Sequence, residues 1–298
     1  MIIMKNSILV LLSTYNGERY LEELLDSVLN QKKVNVEILI RDDGSKDKTV
    51  EILEKYSNKH SNIRYYVGTN LGYAKSFWEL LKNSKKYDYY AFCDQDDIWL
   101  EDKMYSAISK LSQRDSKIPL LYTSNVIPVD KNLKKINYNS FKTNKSLNVY
   151  ESFQKSILPG CTFVFNYSLK VIAEKYDGYM ESHDWTLYNI ANVFGEILFD
   201  NNSNILYRIY SENTIGQESI SKTLLKKIKR FFQKSKCTRS KFAKDFYKCY
   251  MNDMPIKYKK DIHEFAYYKD SKSEKFLFLK NKNYKGFIFK IYIILNKI

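Results

Sequence analysis

The chain predicts an α/β protein: a doubly wound layer on a mainly parallel sheet, followed by a basic, mainly helical extension. Three observations predict it. Apolar runs of strand length alternate four times with stretches of helical apolar spacing between residues 7 and 93. Every polar cluster in that stretch falls at the carboxyl end of an apolar run, the edge where open α/β sheets bind ligands. Charge divides the chain: residues 1–216 hold 27 basic and 27 acidic side chains, whereas residues 217–298 hold 22 and 7 and carry the whole +15. A domain over 1–216 and an extension over 217–298 follow, since a single core covers about 200 to 250 residues.

The elements run in order. Residues 7–13 form a strand ending in Thr14-Tyr15-Asn16-Gly17-Glu18, and Leu21, Leu24, Leu25, Val28 and Leu29 mark a helix. Residues 36–40 form a second strand ending in Arg41-Asp42-Asp43-Gly44-Ser45, where Ser45 or Asp47 can cap the next helix. The third strand, 63–67, leads through Asn70-Leu71-Gly72 to a helix carrying Phe77, Trp78, Leu80 and Leu81. The fourth, 89–93, runs into Asp94-Gln95-Asp96-Asp97-Ile98-Trp99. Beyond it come a helix over 102–111, a strand over 120–125 and the segment 159–166, small and polar before it turns apolar. A helix start at Ser182-His183-Asp184-Trp185 and a strand over 205–210 complete the domain.

The acidic run carries the chemistry. Asp94, Asp96 and Asp97 repel one another unless a cation sits among them, and Mg²⁺-like ions take carboxylate oxygens together with substrate phosphates. Taken alone, the run is equally an acidic loop capping the next helix. Thr14, Asn16, Glu18, Asp42, Asp43 and Asn70 add hydrogen-bonding groups; Asp43 suits the imide N–H of a pyrimidine, and Tyr15 offers a face to a base or sugar. An aspartate at a helix start, Asp184, suits a general base or a plain N-cap. Arg208 faces a phosphate or a surface acid. No G-x-G-x-x-G or G-x-x-x-x-G-K-[ST] occurs, which leaves dinucleotide and P-loop chemistry unsupported. Aspartate-nucleophile phosphatases and phospho-acceptor domains place their acid pair after the first strand, the wrong order here. The four cysteines lack metal-type pairing and read as reduced residues of a cytoplasmic protein. No signal peptide and no spanning run is read.

The motifs at residues 13–18, 41–45, 70–72 and 94–99, with the later His183-Asp184-Trp185, resemble family 2 glycosyltransferases, above all the bacterial rhamnosyltransferase-like subgroup, over about residues 6–216. The resemblance implies the GT-A fold, a Rossmann-like mixed sheet flanked by helices, and an inverting, metal-dependent hexosyltransferase. Its donor is a nucleoside diphosphate sugar (dTDP- or UDP-linked, a deoxysugar such as rhamnose favoured), and its acceptor a hydroxyl of a growing, lipid-linked surface glycan. It places Thr14, Tyr15, Asn16, Glu18, Asp42, Asp43, Asn70, Gly72, Asp94, Gln95 and Arg208 on the donor side. Asp97, Trp99, Gly160, Cys161, His183 and Trp185 fall on the acceptor side, Asp94 and Asp96 on a Mg²⁺ or Mn²⁺, and Asp184 is the base. Tyr210 stands where relatives often carry a histidine, and Asn125 where they often carry Asp. A UDP-hexose or N-acetylhexosamine transferase, or a non-catalytic sugar-nucleotide-binding module, are the alternatives.

In the extension, residues 224–232 separate apolar from basic side chains at helical spacing; Phe242, Phe246, Tyr247, Tyr250 and the runs 276–279 and 287–295 follow. Basic amphipathic helices lie at anionic membrane surfaces, gaining about 1 kcal/mol per Lys or Arg near the headgroups. This predicts a peripheral protein on the inner face of the cytoplasmic membrane, with no nucleic-acid partner because no such motif is present. Ordinary packed helices with a solvated basic face are the other reading.

Overall fold

The computed structural model describes residues 6–137, 148–154, 158–209, 238–281, 290 and 293–295. Strand and helix alternate as the spacing requires: β1 (Ile8–Thr14), α1 (Leu21–Leu29), β2 (Glu37–Asp42), α2 (Thr49–Lys59), β3 (Ile63–Val67), α3 (Tyr73–Asn83) and β4 (Tyr89–Cys93). The central strands β1 and β4 are nearly continuous apolar runs because both faces of the parallel sheet are covered there; all of β4 is buried, whereas the edge strand β3 exposes Arg64 and Val67. The helices bury one stripe each, Leu21, Leu24, Leu25 and Val28 in α1. β1 pairs in parallel with β2 and β4, and β2 with β3, setting Thr14 beside Asp42, Asp42 beside Val67 and Leu12 beside Cys93. That register opens all four following loops on one edge.

Past β4 the sheet is mixed rather than mainly parallel. β5 (Ile98–Trp99), α4 (Lys103–Leu111), β6 (Leu120–Val129), a one-turn α5 (Val149–Ser152), a 3₁₀ turn (Gly160–Thr162), β7 (Val164–Asn166), α6 (Tyr167–Ala173), α7 (His183–Phe194) and β8 (Glu196–Arg208) follow. The eight strands lie in the order β3-β2-β1-β4-β7-β6-β8-β5. β7 is antiparallel to both β4 and β6, and β5 to β8, whereas β8 is parallel to β6. β8 begins at Glu196, well before the expected 205. Residues 200–204 (Asp-Asn-Asn-Ser-Asn) have turn chemistry, and pairing with β6 overrides it through register shifts around Asn125, whose side chain donates to the Asn201 carbonyl at 2.9 Å.

The chain divides into two compact units: Met1–Ser146, Ile157–Glu174 and Ser182–Glu212 in the first, and Leu147–Ser156, Lys175–Glu181 and Asn213–Ile298 in the second. The second contains α5, α8 (Thr238–Tyr250), α9 (Ile256–Tyr267) and α10 (Lys272–Lys280). It recruits two earlier pieces of chain because their aromatics complete its core. Phe153 packs on Phe246 at 5.1 Å between ring centres and Tyr176 stacks on Tyr250 at 6.2 Å. Phe242, Phe246 and Tyr250, counted above with the membrane-facing aromatics, are therefore interior. The 224–232 segment, Tyr210 and most of 287–295 lie outside the described residues. Among the described residues, no helix is long and apolar enough to cross a membrane.

Candidate active site

The loops after β1, β2 and β3 are tied together by their own polar side chains. Asp42 accepts from the Thr14 hydroxyl (2.9 Å), Gly44 N (3.1 Å) and Ser45 N (2.8 Å). Asn16, at φ 48°, accepts from Lys46 N (2.9 Å), and Glu18 accepts from Lys48 N (2.9 Å). Buried Asp43 accepts from Leu71 N (2.8 Å) and Gly72 N (2.9 Å) and pairs with Arg41. Arg41 reaches onward to the Thr69 carbonyl (2.8 Å) and Glu79 (3.1 Å), leaving Gly68 no room for a side chain. Thr14, Asp42 and Asp43, expected on the donor, thus have their polar atoms committed to loop shape. Gln95 is committed likewise: its amide accepts from Tyr15 N (2.8 Å) and donates to Tyr15 O (3.1 Å), joining the first loop to the acidic one. What these loops leave open is the face carrying Tyr15 (44 % exposed), Asn16, Glu18 and Asn70.

The acidic loop meets two distant segments. The ligand atoms of Asp94, Asp97 and Cys161 lie within 4.8 Å of one another. Cys161 belongs to the 3₁₀ turn, and the preceding Gly160 backs onto α7: a Cβ there would sit 2.8 Å from Asp184 Cβ and 3.0 Å from His183 Nε2. Burial, followed by the charges of Asp96 and Asp184, pushes the Asp94 carboxyl up to about 7. Burial, followed by Asp94 and Asp96, also pushes Asp97 well above the usual carboxylate range. Ser182 rather than Asp184 caps α7, accepting from Trp185 N at 3.4 Å. Asp184 is therefore a first-turn residue, with Oδ1 2.7 Å from Trp185 N. Tyr207 on β8, absent from the expected set, adjoins the acids: burial and the neighbouring Cys161, Asp94, Asp97 and Asp96 push its phenol up.

Other expected residues take different places. Asp97, Trp99, Cys161, His183 and Trp185, assigned to the acceptor side, are all buried. Arg208 is buried too; it pairs with Glu23, donates to the Asp96 carbonyl and lies 4.3 Å over the Tyr20 ring, so it braces the acidic loop. Lys103 was not anticipated. It is buried over the Trp99 ring (3.6 Å) with no hydrogen-bond partner for Nζ among the described residues, and burial lowers it to about 8.

His183 stacks on Phe77 (4.0 Å) and meets Phe92 edge-on (4.7 Å), and neither ring nitrogen has a partner among the described residues. Burial lowers its pKa from 6.5 to about 4. The folded state thus holds the imidazole neutral where an unfolded chain protonates it. Stability is fully present above pH 6.5 and falls as pH drops towards 4, by up to about 3 kcal/mol. His183→Phe is expected to flatten that part of the profile, as read by urea melts across the window.

The charges decide whether a cation fits. Arg41 and Arg208 are paired with other acids, and among the described residues buried Lys103 is influenced by one carboxylate, Asp97, together with the thiols of Cys93 and Cys161. Asp94 and Asp96 are half-buried and press on one another, carboxylates of the kind a hard divalent ion takes, whereas the group formed by Asp94, Asp97 and Cys161 includes a soft thiol.

Residues 9–171 match the family described as glycosyl transferase family 2. This chain belongs to that family. The dTDP-rhamnosyl transferase RfbG of Shigella flexneri is 32% identical over 230 residues, covering 73% of this chain and 78% of that protein. Among solved structures, S. aureus TarS 1–349 in complex with UDP-GlcNAc superposes with a TM-score of 0.58 at 16% identity, over 98% of this chain and 88% of that one. The mannosyltransferase PcManGT from Pyrobaculum calidifontis, in complex with GDP-Man and Mn²⁺, gives 0.52 at 15% identity, over 98% and 79%. These superpositions show a GT-A-like fold for the glycosyltransferase. Its mixed sheet is the one the motifs implied.

Proposed function

We propose that this glycosyltransferase moves a deoxysugar such as rhamnose from a dTDP-linked donor to a hydroxyl of a lipid-linked surface glycan, inverting the anomeric centre. One observation carries the reading: the acidic loop, the 160–162 turn and the start of α7 converge, so that Asp184 acts electrostatically on Asp94. Asp94 and Asp96 would hold Mg²⁺ or Mn²⁺, which supplies charge neutralisation for a departing diphosphate. The open face at Tyr15, Asn16 and Asn70 receives the nucleotide. Asp184 takes the proton of the acceptor hydroxyl as its oxygen bonds to the anomeric carbon and the diphosphate leaves from the opposite face. The likeness to the Shigella rhamnosyl transferase supports the dTDP donor. TarS, solved with UDP-GlcNAc, favours the second reading, a UDP-hexose or N-acetylhexosamine transferase.

Thermal shift with dTDP and UDP, each with Mn²⁺, Mg²⁺ or chelator, tests it. A ligand at a hundred times its Kd adds about 2.7 kcal/mol of stability. dTDP is expected to raise Tm only with metal. A shift with UDP alone transfers the donor to the second reading, and no metal-linked shift with either nucleotide overturns both.

A further inference from the structure

Away from the candidate-site edge, α10 exposes two large apolar side chains in succession. Its run Phe276–Leu279 is four successive apolar residues on a helix, and at 3.6 residues per turn they cannot share one side. Phe278 takes the inner side, stacked on Phe265 (5.2 Å) and set against Tyr268 (5.4 Å). Phe276 and Leu277 are thereby turned outward, 56 % and 49 % exposed. Lys275 Nζ donates to the Ile294 carbonyl at 3.3 Å, which sets Ile294 and Leu295, themselves exposed, beside the helix.

Basic groups frame this patch. Lys272 and Lys280 are exposed, and Lys280 Nζ lies 4.1 Å from the Phe276 ring centre. An ammonium on a long stem beside an exposed aromatic lets the apolar body sink while the charge stays among headgroups. Residues 217–298 carry 22 basic and 7 acidic side chains, which complements an anionic surface and opposes a second copy of the same basic region.

We propose that Phe276 and Leu277 on α10, with Ile294 and Leu295, form the surface by which the protein docks on an anionic lipid bilayer. This deepens the lipid-linked acceptor reading and rests on it for its purpose; the docking chemistry stands on the patch itself.

The test uses the full chain, sedimented with vesicles of phosphatidylglycerol in phosphatidylcholine or of phosphatidylcholine alone, at low and raised salt. Wild type is expected to sediment with the anionic vesicles and to be released by salt. Phe276→Ser combined with Leu277→Ser is expected to bind about tenfold more weakly, two large apolar side chains being lost, with its metal-linked nucleotide shift unchanged. That retained shift shows that the variant is folded. Leu277→Trp is expected to add blue-shifted emission on anionic vesicles. Equal binding of wild type to both vesicles, or to neither, overturns the lipid reading together with the patch. Binding of the double variant like wild type overturns the patch alone. A wild-type dimer that the double variant makes monomeric would assign the face to a second copy. Loss of the nucleotide shift in wild type bears only on the sugar-transfer reading.

Discussion

Asp184→Asn is expected to lower the transfer rate by about 10²- to 10⁴-fold, the usual worth of a positioned general base, while donor binding persists. The amide keeps an oxygen that can accept from Trp185 N, and the α7 cap rests on Ser182. Helix, turn and Gly160 contact should therefore survive, and only the ability to take a proton is lost. Transfer assays read the first quantity and the metal-linked nucleotide shift reads the second. If the shift vanishes with the activity, Asp184 binds donor and the base must be sought elsewhere.

Asp96→Asn is expected to act on both binding and rate. If Asp96 is one of the cation's ligands, as proposed, removing its carboxylate sacrifices several kcal/mol of transition-state stabilisation, on the order of a 10³-fold loss in kcat/KM. The nucleotide shift should lose its dependence on Mn²⁺. Stability in chelator should move the other way. Asp96 helps to push Asp94 up to about 7, so the folded state binds more protons than the unfolded one. Stability therefore falls as pH rises from the ordinary carboxylate value near 4 to about 7. The Asn variant, with one repelling charge fewer, should lose less over that window. Unfolding in chelator below and above it separates the outcomes: a variant that loses as much as wild type would show that Asp96 does not press on Asp94.

The shared edge of the sheet, where the candidate site lies, was legible because its signals are local. An apolar run that ends in polar or acidic residues declares both a buried strand and a polar mouth, and the repeat of that pattern after four strands places the mouths together. The acidic trio, the helix start at His183-Asp184 and the alternation over residues 7–93 all survive as elements in the structure. Role within the site was harder to read. Asp43 and Gln95 are exposed polar residues in sequence terms, yet their hydrogen bonds go to backbone amides brought from distant loops. Lys103 and Tyr207 carry no local sign of their place near the acids, because only packing of α4 and β8 brings them there.

By itself, the amino-acid order determined the α/β alternation, the shared edge and the separation of a neutral body from a cationic extension. Apolar periodicity and charge count are properties of neighbours along the chain, so these needed no coordinates. Tertiary structure alone decided the antiparallel half of the sheet, the length of β8, the burial of Trp99, Trp185 and Arg208, and the recruitment of Phe153 and Tyr176 into the second core. Each depends on a partner many residues away, and the free energy of a long-range contact is not written in the residues on either side of it.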